Sequence, residues 1–543
     1  MDPRVLETAP EKSLRFHGPV RLVCWLGLIA ALLVFTLSAS LSMRRKSATW
    51  DEVPNFALGR YLLASGTWNV PGCASHPPLS YFLQSLPILN AELPMEAFAY
   101  VEHEIERDPD FLGLADPGRG RKLLAAPGYG NGVLLNRARL SMIILGAVTL
   151  LLVFAWAWEL YGPWGAFIAA LLFGFSPNLI AHYRLLTPDP VLTTTILLSA
   201  YTMWRAFRQP RVDRILLSGI ALGLALLSKH TALVLPWAFG LIAVVEVIVA
   251  ACRAENRKAR TALNLLGKRA LIIGLSILVA FVLIVLAYRG NFSAYTNSIA
   301  FQLKHGSSGH MGYLMGRFSL SGWWYYFVFV MLFKTPIPML LAFGLAVVTM
   351  FFRRGKSPDL ASELFLLAPG ALLFMLFSLK QLAMGLRYIL PLFPLLMILS
   401  GRIAVLKVPK WSKALAAFLA VWLAVGTLLI YPHYLAYFNE ITGGPSRGYR
   451  VLADSNLDWG QDLIGLRDFM KERGIDRINF SYFGTDDPAY YGIEYTWLPS
   501  YFLPKPSGQR TVEFPPSGWT AVSATCLVGI PPFELPPGIA RQA

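Results

Sequence analysis

The chain has 543 residues, 55% of them hydrophobic and only 15% charged, with a mean hydropathy of +0.50. That balance excludes an ordinary soluble globular protein and fits a polytopic membrane protein. The net charge of +16 would suit nucleic acid, but the basic residues sit in short loops between apolar runs. That is the pattern of membrane topology, so nucleic acid is set aside as a partner.

Apolar runs of membrane length lie near 22–41, 140–158, 164–181, 190–207, 215–229, 231–251, 270–288, 336–352, 361–378, 388–401 and 413–431. They predict about eleven spans, those near 164–181 and 215–229 being short or glycine-containing. The first run exceeds the apolar core of a signal peptide, so it is read as an uncleaved span. Later loops fix the orientation. Arg205, Arg208, Arg211 and Arg214, then Arg253, Arg257, Lys258, Arg260, Lys268 and Arg269, then Arg353, Arg354 and Lys356, then Arg402, Lys407, Lys410 and Lys413 all fall on one side. That side is cytosolic. The loop 43–139, residue 189, the segment 289–335 and everything after 431 then face the other way.

Two regions are predicted: a transmembrane core over 1–431, with its first outer loop at 43–139, and an appendage over 432–543. In the appendage a helical run, "DLIGLRDFMKERG", precedes a strand-like one, "RINFSYFG", which predicts a small α/β unit. "PPSGW" and "IPPFELPPG" read as a proline-rich tail. Four cysteines are present; Cys24 and Cys252 lie in or beside apolar runs, while Cys73 and Cys526 share the outer compartment and leave a disulfide open.

The outward-facing charges carry the chemistry. Asp51 and Glu52 stand just past the first span, where a charge beside lipid needs a partner or a task; Arg44, Arg45 and Lys46 offer plain ion pairing. "ASHPPLSYFLQSLP" supplies His76, a stiff proline pair and an amphipathic run suited to the interface. "AHYRLLTPDPVL" puts Asp189 between two prolines at a helix start, where helix capping is the plainer role. In 304–341, glycine- and histidine-containing backbone with His310 leads into an aromatic belt, Trp323 to Phe327, and then to Lys334, which either snorkels or meets a lipid-borne phosphate. Arg387-Tyr388 enters a proline-broken helix; arginine matches phosphate bidentately, or simply anchors at the interface. The stretch 437–463 is either acceptor-binding or the base of the appendage.

One reaction uses such a set. A sugar leaving a polyprenyl phosphate builds negative charge on the phosphate, which a cation stabilises. The acceptor hydroxyl loses a proton to a carboxylate base. Attack opposite the departing phosphate inverts the anomeric carbon, by analogy with glycoside hydrolysis. A secondary transporter or flippase is the rival reading, but it needs carboxylates inside the spans, and the spans here are nearly charge-free.

The stretches "TWDEVPNFALGRYL", "HPPLSYFLQSLP", "LLTPDPVLT", "GHMGYLMGRFSLSGWWYYFVFVMLFKTPIPMLL", "RYILPLFPLL" and "YFNEITGGPSRGYRVLADSNLDWGQDL" carry a resemblance. The chain resembles the GT-C superfamily of membrane glycosyltransferases, in particular the bacterial glycosyltransferase family 39-like group, related to protein O-mannosyltransferases and the lipid A aminoarabinose transferase. The resemblance implies an α-helical polytopic enzyme of the bacterial inner membrane. Such an enzyme moves a hexose or pentose from a polyprenyl-phosphate sugar to a lipid, glycan or protein acceptor, with its site facing the periplasm or exterior. It assigns the base role to Asp51 with Glu52 second, and the second acidic position to Asp189. Arg387, Lys334 and His310 become candidates for phosphate contact, with His76 and Tyr388 beside them as donor- or acceptor-binding residues. The appendage departs from the outer domains of the eukaryotic protein mannosyltransferases, which counts against a protein acceptor. Some members use a divalent metal; no ligand set stands out in this sequence.

Overall fold

A computed structural model describes residues 18–99, 113, 115–130, 132–253, 258–307, 309–351, 358–380, 382–406, 409, 411–500, 503, 505 and 517–530. The run "IPPFELPPG" lies outside these residues save for its first, as do the prolines of "PPSGW".

The first helix, α1 (Gly18–Met43), shows how the membrane layer is built. Cys24, Leu28, Ala31, Phe35 and Ala39 are buried, while Leu22, Trp25, Ile29, Leu33 and Leu37 are exposed. Both faces are apolar, as a helix between protein and lipid requires. A Cβ at Gly174 would come within 2.8 Å of Ala31, so small residues let α1 lie close to the helix it packs on. That partner, α6 (Val133–Gly174), is two helices end to end: Gly162 has φ 75 and ψ −172, and Pro163 starts the second half. The sequence placed its break between spans at the same point.

Short helices α2 (Glu52–Asn55), α3 (Leu58–Ser65), α4 (Leu79–Ser85) and α5 (Pro117–Leu124) precede α6 and form an outer layer. It has its own core of Val53, Phe56, Leu58, Tyr81 and Leu123. A Cβ at Gly120 would sit 1.9 Å from the Val53 carbonyl, so only glycine lets α5 press on the α2 turn.

After α7 (Pro177–His182) comes α8 (Pro188–Arg208), the buried centre of the bundle. It is less apolar than its neighbours because Thr193, Thr194 and Thr195 point inward, each hydroxyl donating to the carbonyl four residues back, at 2.8, 3.0 and 2.8 Å. Helices α9 (Val212–Leu226), α10 (Val234–Arg253), α11 (Lys258–Ala287) and α12 (Phe292–Ser307) follow, then a hairpin, β1 (Gly312–Leu314) with β2 (Arg317–Ser319). Helices α13 (Tyr326–Lys334), α14 (Ile337–Phe351), α15 (Leu360–Lys380), α16 (Leu392–Ser400) and α17 (Trp411–Leu429) complete the bundle.

Among the described residues six helices are long and apolar enough to cross a membrane: α1, α6, α10, α11, α15 and α17; α14 and α16 are shorter apolar helices. The protein is an integral membrane protein. Each apolar run read from the sequence is helical over most of its length, though the run at 164–181 ends in the separate helix α7 and that at 388–401 begins in a 3-10 turn, Leu386–Ile389.

The appendage has the predicted α/β character. Helix α18 (Leu463–Arg473) precedes β3 (Arg477–Ser481), which lies between β4 (Glu494–Trp497) and β5 (Thr520–Val522), both parallel to it. The final described helix is α19 (Ala524–Leu527). Cys73 and Cys526 are free thiols, so the disulfide left open by the sequence is not formed.

Candidate active site

The stretch 457–463 lies along the segment that leaves α1. The Ser47 amide donates to the Gln461 carbonyl at 3.0 Å, and the Trp50 amide to the Trp459 carbonyl at 2.9 Å. Thr485 Oγ1 donates to the Trp50 carbonyl at 2.6 Å, Trp50 stacks on Phe483 at 4.8 Å, and Lys46 pairs with Asp462. The stretch is thus the base of the appendage, and it fixes the backbone from which Asp51 and Glu52 project.

Those two carboxylates point to different places. Glu52 is wholly buried and accepts from Arg139 Nε and Nη2 at 2.8 and 2.6 Å, the Thr49 amide and hydroxyl at 2.8 and 3.0 Å, and the Leu186 amide at 3.0 Å. Burial alone would push its carboxyl up, yet Arg139 and these donors hold it below the ordinary value. Arg139 also donates to the carbonyls of Met43, Lys46 and Ser47. Glu52 and Arg139 therefore tie α1, the outer turn and α6 together. Asp51 instead forms an ion pair with Arg387, 336 residues away, and a quarter of its side chain is exposed.

Arg387 stands in the turn Leu386–Ile389. Its guanidinium lies 4.4 Å from the Trp459 ring and 5.3 Å from the Tyr388 ring, and its Nε has no hydrogen-bond partner. Lys229 Nζ lies 4.6 Å from the same Tyr388 ring and pairs with Asp189 at 2.7 Å. Tyr388 thus joins two ion pairs, Asp51–Arg387 and Lys229–Asp189. Asp189 stands in the first turn of α8 but not as its cap, which is Thr187, and its Oδ2 has no partner. His76 Nδ1 and His310 Nε2 are likewise buried without partners. Burial, with Lys229 and Arg387 adding to it, holds His76 well below its ordinary value. Burial, His305 and Arg387 lower His310 to about 4, so both rings are neutral at physiological pH. Asp454, in a left-handed backbone at φ 58, also feels Arg387; burial nonetheless pushes its carboxyl up to about 6.

Lys334 departs from its expected role. It is buried, and its Nζ donates to the carbonyls of Leu435, Tyr437 and Asn456 at 2.8, 2.6 and 2.5 Å, filling all three of its donor positions. It anchors the segment after α17 to α13 rather than meeting a phosphate. A divalent metal finds no group of three His, Cys, Asp or Glu side chains able to hold it among the described residues.

The site thus gathers Asp51, Asp189, His76, His310, Arg387 and Tyr388, and adds Lys229, Trp459 and Asp454. Lys229 had a signal in the sequence, since a lysine ending an apolar run invites a functional reading. Trp459 and Asp454 had none beyond membership of a polar stretch.

A family model described as dolichyl-phosphate-mannose-protein mannosyltransferase matches residues 131–284, from the start of α6 to near the end of α11. Over these residues, less than a third of the chain, it is similar to the protein mannosyltransferase family of membrane glycosyltransferases. This glycosyltransferase match favours the enzyme over the transporter. Similar solved structures include ArnT from Cupriavidus metallidurans bound to undecaprenyl phosphate, at 18% identity over 83% of this chain and 72% of that one, TM-score 0.49. The Saccharomyces cerevisiae Pmt1-Pmt2 complex bound to its sugar donor is 17% identical over 52% of this chain and 35% of that one, TM-score 0.35. The Archaeoglobus fulgidus oligosaccharyltransferase in its apo form is 12% identical over 91% and 61%, TM-score 0.45. No curated protein sequence matches this chain.

Proposed function

We propose that this glycosyltransferase moves a sugar from a polyprenyl-phosphate donor to a hydroxyl acceptor with inversion, at the non-cytosolic face of the bacterial inner membrane. Asp51 is the general base, and Arg387 receives the leaving phosphate. The acceptor oxygen bonds to the anomeric carbon as the bond from that carbon to the phosphate oxygen breaks. The acceptor proton passes to Asp51, and the bonding electrons stay on the phosphate, where Arg387 meets them. Lys229 and Asp189 complete the wall through Tyr388. His76 and His310, held neutral, offer hydrogen bonds without adding charge. The donor class is supported by the family description, which names dolichyl-phosphate mannose, a sugar carried on an isoprenoid phosphate.

The observation that carries this reading is the Asp51–Arg387 ion pair. It joins the intended base to the intended phosphate ligand across the length of the chain. It also implies an order: Asp51 is bound to Arg387 until a donor phosphate competes for the guanidinium, and only then is the carboxylate free to take a proton. Unpartnered Arg387 Nε, Asp189 Oδ2, His76 Nδ1 and His310 Nε2 support a polar ligand here, since buried polar groups are rarely left unmatched. The test is transfer by the purified, vesicle-reconstituted chain from a synthetic polyprenyl-phosphate sugar, with the product anomer read by NMR. A retained anomeric configuration would refute the single displacement, and full activity of Asp51→Asn would refute the base.

A further inference from the structure

Helix α8 carries Asp189 in its first turn and Arg208 in its last. At 1.5 Å per residue its 21 residues put the two about 30 Å apart, at opposite ends of the bundle. At the Arg208 end a cavity of about 260 Å³ lies among α8, α10, α11 and the start of α15. Trp204, Arg208, Glu246, Arg269, Asp359 and Phe365 line it, and the transfer reaction uses none of them.

The charges there fall into matched and unmatched groups. Arg269 Nε pairs with Glu246 at 2.7 Å, and Arg269 Nη1 donates to the Phe207 carbonyl at 2.5 Å. Asp359 Oδ1 accepts the Ser362 amide at 2.8 Å, capping α15. Arg208 has one long contact, Nη1 to Ser362 Oγ at 3.4 Å; its guanidinium lies 5.3 Å from the Trp204 ring, whose Nε1 donates to the same hydroxyl at 2.8 Å. Among the described lining residues, two arginines and two carboxylates sum to zero. A purely anionic ligand would meet Asp359, and a purely cationic one would meet Arg208. A ligand bearing one charge of each sign meets a partner for both. Leu241, Val244 and Ile248 on α10, with Leu266 and Leu271 on α11, are exposed apolar side chains within two turns of Glu246 and Arg269, a surface for acyl chains.

We propose that this cavity binds the headgroup of a zwitterionic phospholipid carrying a primary amine. Arg208 faces the phosphate, and Asp359 faces the ammonium. The lipid sits in the leaflet opposite the transfer site, as a resident ligand and not as donor or acceptor.

The test uses the full chain in nanodiscs of phosphatidylethanolamine and phosphatidylglycerol at equal ratio, then extraction into detergent and native mass spectrometry of retained lipid. The expected result is one phosphatidylethanolamine held per chain. Retention should fall at least ten-fold in Arg208→Gln and three- to ten-fold in Asp359→Asn, and be unchanged in Asp51→Asn. Arg208 and Asp359 are both exposed, so both variants should fold. Equal retention of phosphatidylglycerol would make the cavity a simple anion site and overturn the proposal. Displacement of the lipid by millimolar inorganic phosphate would assign the site to free phosphate and overturn it too. Undiminished retention in folded Asp359→Asn would show that the headgroup binds elsewhere.

Discussion

Asp51 and Glu52 are adjacent in the chain, yet the region around each obeys a different rule. Around Glu52 every acceptor position is filled, the side chain is sealed from solvent, and its arginine also clamps three backbone carbonyls. Around Asp51 the carboxylate has one cationic partner and a quarter of its surface exposed, and that partner keeps an unmatched N–H. A saturated buried pair holds structure, because any rearrangement strands a charge. An incompletely matched pair at an edge can exchange partners, which is what a base beside a leaving phosphate must do. On the proposed reading, the contrast separates support from chemistry within two residues, where composition alone makes them equivalent.

The comparison breaks most visibly at Asp51. Asp51→Asn should fold and insert normally but transfer sugar roughly 100- to 10,000-fold more slowly, the usual range for removing a general base. Initial rates at saturating donor check this. Glu52→Ala should do the reverse. It leaves Arg139 buried and unpaired, with an expected cost of about 3–5 kcal/mol. The variant should be recovered poorly, and thermal melting of what is recovered should show the loss. If Glu52→Ala is as stable as the wild type, the division of labour fails.

Donor affinity sharpens the same contrast. Arg387→Ala removes a charge-assisted contact worth about 1.5–3 kcal/mol, so donor binding should weaken roughly ten- to hundred-fold. Asp51→Asn frees Arg387 and should bind donor as tightly as the wild type or more so. Donor titration by intrinsic tryptophan fluorescence distinguishes them, since Trp459 lies under the Arg387 guanidinium. Equal affinity in the wild type and Arg387→Ala would remove Arg387 from the phosphate. Lys334→Met is the matched structural control. It deletes three hydrogen bonds to carbonyls and should cost on the order of 2–3 kcal/mol of stability without changing the donor affinity of the folded fraction.

Much of this arrangement was legible before any coordinates. Apolar periodicity located the helices because lipid demands long uninterrupted runs, and "YGPWG" marked the break in α6 through glycine and proline chemistry. The shared face of Asp51 and Arg387 followed from counting spans and cations. What was not legible depended on contacts between distant segments. Nothing local tells Glu52 from Asp51; the difference is Arg139, 87 residues on. Lys334 looked like a phosphate ligand because a lysine at a span start is ambiguous until its three acceptors are known. Trp459 gained its place only when the appendage folded back on the first outer turn.

The smallest effect concerns Asp454, a third carboxylate beside Arg387. Its carboxyl is pushed up to about 6 by burial, against an ordinary value of 3.8, so the folded protein binds its proton more tightly than the unfolded chain does. Between those values the native state holds more protons, and stability falls as pH rises from about 4 to about 6, then levels off. The difference is about two pH units; discounted for partial exposure, it corresponds to roughly 1–2 kcal/mol lost at neutral pH. Asp454→Asn abolishes that titration. Its melting temperature minus that of the wild type should therefore grow by a few degrees between pH 4.5 and 7, other groups cancelling in the difference. The same substitution leaves the Asp51–Arg387 pair without its nearby competitor. A difference that is flat with pH would mean that Asp454 stays ionised like a surface carboxylate, and that Arg387 faces two acids rather than one.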